Sequence, residues 1–152
     1  MILTNFEIGG DMISFLFADY ELDMHNCYQL ERFDQNPQTS TVKLVFAKGS
    51  GDWIKPTDPV LVNLEFMIVE RVLQCEPDAD YPAEYVNADK NTPDIMGFTS
   101  DDTEEAWGGE TTKSDAKQND LMIITFVTGR AIKIKASSAS LHVELPQTGR
   151  MF

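Results

Sequence analysis

The sequence predicts an all-β protein: an antiparallel sandwich or flattened barrel of about seven to nine short strands, interrupted by one long acidic insert at 76–120 that contains at most a short helix. Three observations lead there. Between Ile2 and Leu145 apolar side chains recur every second residue in short runs, the period of a strand with one buried face. Turn-forming clusters separate the runs, among them Gly9-Gly10-Asp11, Lys48-Gly49-Ser50-Gly51-Asp52 and Thr128-Gly129-Arg130. Near the C-terminus, Leu121 to Leu145 reads as three adjacent strands in succession. At 152 residues the chain fits one domain over 1–152 with a short tail at 146–152. A chain of this size buries roughly 68 to 70% of its unfolded surface, enough for a core without covalent staples.

Taken in order, Met1 to Ile8 places Ile2, Phe6 and Ile8 on one side, and Met12 to Ala18 places Ile13, Phe15 and Phe17 inward, so the two read as a hairpin about Gly9-Gly10-Asp11. Asp19 to Phe33 holds one or two further short strands, Tyr20-Leu22-Met24 and Tyr28-Leu30, with a break at His25-Asn26. Asp34 to Ser40 is a loop by composition, and Thr41 to Ala47 then alternates with Val42, Leu44 and Phe46 inward. The following turn is expected to fold Trp53 back over the sheet edge.

Val60 to Cys75 carries two competing patterns. Asp58 as an N-cap and Pro59 at the first helical position would suit a helix bearing Val60, Leu64, Ile68 and Val72. Val60, Val62, Leu64, Phe66 and Ile68 also alternate, and the β-branched content decides for a strand. A bulge near Glu70 accounts for the shift of apolar parity to Val69, Leu73 and Cys75.

The 76–120 insert is too long for a structureless loop in a compact domain, so ordered pieces are expected within it. Pro93 to Thr99 reads as a short strand around Ile95, Met96 and Phe98. Ser100 to Trp107 reads as a helical turn capped by Ser100, with Asp101, Asp102 and Glu104 near its positive end and Trp107 tying it down. Gly108 to Asn119 has no apolar anchor and is expected to be mobile. Leu121 to Val127 is apolar on both parities apart from Thr125, the pattern of a strand covered on two faces. In Ala131 to Lys135, Ile132 and Ile134 point inward and Lys133 and Lys135 toward water. Ala139 to Leu145 repeats that period as a third strand. The tail Leu145-Pro146-Gln147-Thr148-Gly149 is similar to the pentapeptide recognised by sortases, but Leu145 continues the alternation and only Arg150, Met151 and Phe152 follow, so it is read as a strand end.

Charge is the unusual global property. The chain has 12 basic and 25 acidic residues for a net of −13, and the insert, with 13 acidic residues against Lys90, Lys113 and Lys117, carries −10 of it. Such a field repels nucleic acid and anionic membranes and steers basic protein surfaces inward. The N-terminus lacks the basic region of a signal peptide, and no stretch approaches the ~20 apolar residues of a membrane helix. Cys27 and Cys75 match no metal or redox spacing and read as reduced thiols, which fits a cytoplasmic protein.

Chemistry-bearing motifs are sparse. Two histidines, His25 and His142, are too few for an imidazole zinc site, the acidic runs lack the calcium-loop alternation, and Gly49-Ser50-Gly51 is no phosphate-binding loop. His25 with Cys27, and Ser140 with His142, sit two apart and so share a strand face, but neither pair has an orienting acid in its motif. No catalytic residue, metal or cofactor is assigned. The sequence points to a non-catalytic protein-binding module that engages a basic partner through Tyr81, Tyr85, Asp101, Asp102, Glu104, Glu105 and Trp107, the design of an immunity-type inhibitor of a toxin. Two alternatives stand beside it: a small-molecule binder or hydrolase with a pocket lidded by the insert, and a structural subunit that assembles through strand edges.

Overall fold

The computed structural model describes residues 1–106, 112–117 and 119–147. Among them, ten strands and two single-turn helices follow one another: β1 (Ile2–Leu3), β2 (Glu7–Ile8), β3 (Ser14–Phe17), β4 (Tyr20–Asp23), α1 (Met24–Cys27), β5 (Tyr28–Asn36), β6 (Thr41–Lys48), β7 (Leu61–Cys75), α2 (Ala83–Val86), β8 (Pro93–Thr99), β9 (Leu121–Phe126) and β10 (Ala131–Glu144). The protein is all-β, as its alternation predicts. Six strands form a curled antiparallel sheet in the order β5-β6-β7-β10-β9-β8, and β1 joins it in parallel beside β10. A small antiparallel sheet, β2-β3-β4, stands apart.

Local irregularities help bend the large sheet. Lys135 pairs with Arg71 and Ala136 with Val69, which leaves Glu70 as the extra residue of a bulge in β7. Opposite β6, Leu30 pairs with Phe46 and Arg32 with Val45, so Glu31 is extra in β5. Each extra residue sharpens the local right-handed twist. The sheet curls until the Leu30 amide on edge strand β5 donates to Asn91 O at 2.8 Å, just before β8. The concave side buries Leu44, Phe46, Val62, Leu64, Phe66, Phe98, Ile124 and Phe126. Phe6 and Phe15 of the small-sheet region meet edge to face over this core, ring centroids 5.3 Å apart, a favourable aromatic geometry.

Several elements differ from the sequence reading. The first expected strand is split, with Ile2–Leu3 beside β10 and only Glu7–Ile8 in the hairpin with β3. The break at His25-Asn26 is the helical turn α1, whose N-terminal amides at His25 and Asn26 donate to the Asp23 carboxylate. β5 continues through Asp34, Gln35 and Asn36, residues with loop composition, because they lie opposite Thr41, Val42 and Lys43 of β6 and complete its ladder. Trp53 remains exposed, its indole N–H donating to Asn26 O at 3.0 Å. The last two expected strands are one, the 14-residue β10, which pairs with β7 along its whole length.

The most consequential difference concerns the outer face of β7, β10 and β9. Lys133, expected in water, is 0% exposed. Residues 101–106 of the insert lie over this face, where Cys75, Ala106, Ile123 and Ala131 form a second buried cluster with Leu73 packed against it. Leu73 and Cys75 are therefore apolar because a second layer covers them. Period-2 alternation identifies a face but cannot show what lies over it. Residues 101–106 form no helical turn, only bends at 103, 104 and 106, and Trp107 lies outside the described residues. The insert's helix is α2 instead. Of the expected mobile stretch, 108–111 and 118 lie outside the described residues. Within 112–117, Lys113 bridges to Phe98 and Ala116 packs against the main core.

Candidate functional site

Apart from β8, which is itself a strand of the main sheet, two contacts between the insert and the sheet place the predicted site residues. The first is the outer face of β10. The Lys133 side chain runs through the second cluster to place Nζ 2.9 Å from Thr103 O and 3.5 Å from Asp101 Oδ2. The Thr103 amide donates to Asp101 Oδ1 at 3.0 Å, and the Asp101 amide donates to Thr99 Oγ1 at 3.0 Å. Hydrogen bonds from Thr103, aided by the Lys133 charge, hold the Asp101 carboxyl below its ordinary range. Asp102 lies 3.5 Å from Arg71, both exposed. Glu104 and Glu105 are exposed.

The second attachment is the β9–β10 turn. Gly129 has φ +90°, and a Cβ there would lie 2.7 Å from Tyr81 Cδ2, so the Tyr81 ring sits directly on the glycine. The Tyr81 hydroxyl donates to Val127 O at 2.8 Å, and the Val127 amide donates to Thr92 O. Burial raises the Tyr81 pKa, with Asp94 and Tyr85 adding to it. Tyr85, ring centroid 6.2 Å from that of Tyr81, stays 46% exposed.

The sequence-predicted contact residues thus fall into two groups, Tyr81 and Tyr85 at the β9–β10 turn and Asp101, Asp102, Glu104 and Glu105 at the outer face of β10. Tyr81 and Asp101 are engaged within the fold. Tyr85, Glu104 and Glu105 face outward.

Between the turn and edge strand β5 lies a cleft of about 540 Å³, with Leu30, Phe33 and Ile132 among its apolar lining and Thr128, Arg130 and Lys90 among its polar lining. Sequence reasoning missed these residues because they are brought together from β5, the insert and the β9–β10 turn. The only local cue is Arg130, a cation directly after the glycine of a tight turn.

The remaining motifs are placed as follows. His25 Nδ1 is 2.7 Å from Pro93 O, and Cys27 is buried on the concave side. Burial raises the pKa of Cys27, with Asp23 and Asp58 adding to it; Cys75 is likewise raised by burial, partly offset by Lys133. Both thiols are free. Ser140 Oγ and His142 Nε2 meet at 3.3 Å on an exposed face of β10, where among the described residues no acid bonds the ring. No group of three or more metal-ligating side chains occurs among the described residues, and no described helix is long and apolar enough to cross a membrane.

These features define an all-β protein with a curled sheet, part of whose 76–120 insert, residues 101–106, lies over the sheet's outer face. Compared with known protein families, curated proteins and solved structures, the chain matches none.

Proposed function

We propose that this chain is a non-catalytic, cytoplasmic protein-binding module that presents the acidic face of its 76–120 insert to a basic partner. The observation that supports this reading is the pinning of the insert by the sheet's own cation, Lys133, through Thr103 and Asp101, which leaves Glu104 and Glu105 exposed beside that anchor. Carboxylates held on an ordered layer meet a basic surface with less ordering entropy to lose than carboxylates on a free loop. Their long-range field also speeds encounter. Tyr85 and Val86, exposed on α2, offer apolar contact area at the other attachment. An immunity-type inhibitor of a cationic toxin is one protein that would use such a surface.

The test is capture of cationic proteins from native lysate on the immobilised full chain, at low and high salt. The wild type captures a partner at low salt and loses it as salt rises, and the double variant Glu104→Lys/Glu105→Lys fails at both. Capture that persists at low salt in the double variant would remove the reading. Charge reversal at Asp101 is unsuitable, because it would attack the anchor rather than the surface.

A further inference from the structure

We propose that the cleft between β5 and the β9–β10 turn is a binding site for a small organic acid, a carboxylate carried on an apolar body. Its volume of about 540 Å³ falls within the range of small-molecule sites, roughly 300–1,000 Å³. Three further observations select the ligand class.

The first is Thr128. It lines the cleft, is 5% exposed, and its buried Oγ1 has no hydrogen-bond partner among the described residues. A buried hydroxyl without a partner is costly, and a ligand oxygen would supply one once the shielded Thr128 side chain turns its Oγ1 toward the cleft.

The second is Arg130. Its Nε donates to Lys90 O at 2.8 Å, its Nη2 to Asn91 Oδ1 at 3.4 Å, and its guanidinium lies 4.0 Å over the Phe126 ring. Both hydrogen-bonding partners are neutral. Among the described residues no carboxylate lies within ion-pair distance, so the charge and the remaining N–H donors of the fork are unspent. The stacking and the two hydrogen bonds fix the plane of the guanidinium before any ligand arrives, which suits two-point recognition of a carboxylate. Burial lowers the Arg130 pKa, partly offset by Glu76, as expected of a cation drawn out of water.

The third is the balance of charge and surface. In a chain of net −13, this lining holds Arg32, Lys90 and Arg130 against Glu31 and Glu76, and with Arg32 paired to Asp34 at 3.4 Å the cations left to a ligand are Lys90 and Arg130. Leu30, Phe33 and Ile132 give an apolar body somewhere to lie. This inference does not depend on the acidic-face reading: Val86 borders both surfaces, but the groups that select the ligand, Thr128 and Arg130, belong to the cleft alone and the ligand is of opposite charge.

The experiment titrates the full chain with benzoate, benzamide and inorganic phosphate, followed by NMR at the Thr128 methyl, the Arg130 Nε–H and the Asn91 side-chain amide. Benzoate should saturate with shifts at all three, and benzamide and phosphate should bind at least tenfold more weakly. Arg130→Met should weaken benzoate at least tenfold. Thr128→Val, which keeps the shape and removes only the hydroxyl, should weaken benzoate about tenfold, since a hydrogen bond to a charged group is worth that much, while leaving the fold as stable as before. Thr128→Val thus provides the test should Arg130→Met fail to fold. Absence of saturation by benzoate at concentrations on the order of 10 mM, equal binding of benzamide, tighter binding of phosphate, or unchanged benzoate affinity in Thr128→Val would each overturn the proposal.

Discussion

Replacing Asp101 by Asn removes one negative charge and little else. Asn keeps an oxygen that can accept from the Thr103 amide, now 3.0 Å from Asp101 Oδ1. What is lost is the charge facing Lys133, which has no exposure to water and retains only Thr103 O at 2.9 Å among the described residues. Removing one partner of a fully buried pair costs about 3–5 kcal/mol. The Asp101 side chain is 21% exposed, so water screens part of the attraction, and the expected loss is about 2 kcal/mol. With a urea slope of about 2 kcal/mol per molar, the unfolding midpoint should fall by about 1 M.

The pH dependence has a definite sign. The folded-state pKa of Asp101 lies below the ordinary 3.8, so its stabilisation is fully present above 3.8 and is lost as pH falls through the folded value. The gap between wild type and Asp101→Asn should be widest near neutrality and close in acid. Lys133→Met, which fills the same space with an apolar chain, should cost less, about 1 kcal/mol, and the double variant less than the sum of the singles. Because Ala106 and Cys75 share the cluster under this anchor, alkylation of Cys75 should accelerate in Asp101→Asn while Cys27, on the concave side, stays slow. A midpoint within 0.5 M of wild type (on the order of 1 kcal/mol), together with unchanged Cys75 labelling, would refute the view that Lys133 holds the insert down.

Gly129→Ala combines an unfavourable φ with a Cβ placed 2.7 Å from the Tyr81 ring, and thermal or urea unfolding should show a loss of about 2–3 kcal/mol; a loss under about 0.5 kcal/mol would mean that Tyr81 is not held against the turn. Ile68 is a β-branched residue at φ 53° and is 64% exposed, so Ile68→Gly should raise stability by about 1 kcal/mol by releasing backbone strain at little cost in burial. In the native wild type both Cys27 and Cys75, buried and with pKa values raised by burial, should resist iodoacetamide at pH 8 and react promptly once unfolded; rapid native labelling of either would contradict its burial.

Much of the sheet was legible because burial imposes a two-residue period wherever a strand has one covered face. Val42, Leu44 and Phe46, and again Val62, Leu64 and Phe66, are buried as their alternation requires. In Val60 to Cys75 the β-branched residues and the shift of apolar parity pointed to a strand with a bulge near Glu70, and that residue is the unpaired one. Both signals are local, since they arise from side-chain direction within one strand.

The tertiary structure alone decided what covers each face and which distant residues meet. Lys133 sits where alternation assigns a solvent position, yet the insert lies over it, because Asp101 and Thr103 return across the sheet 30 or so residues away in sequence. Likewise Leu30, Lys90, Thr128 and Arg130 come from separate parts of the chain and share one cleft. Periodicity records the environment of a side chain relative to its own backbone. Coverage and convergence depend on how the backbone closes on itself, and that is settled only when the sheet curls.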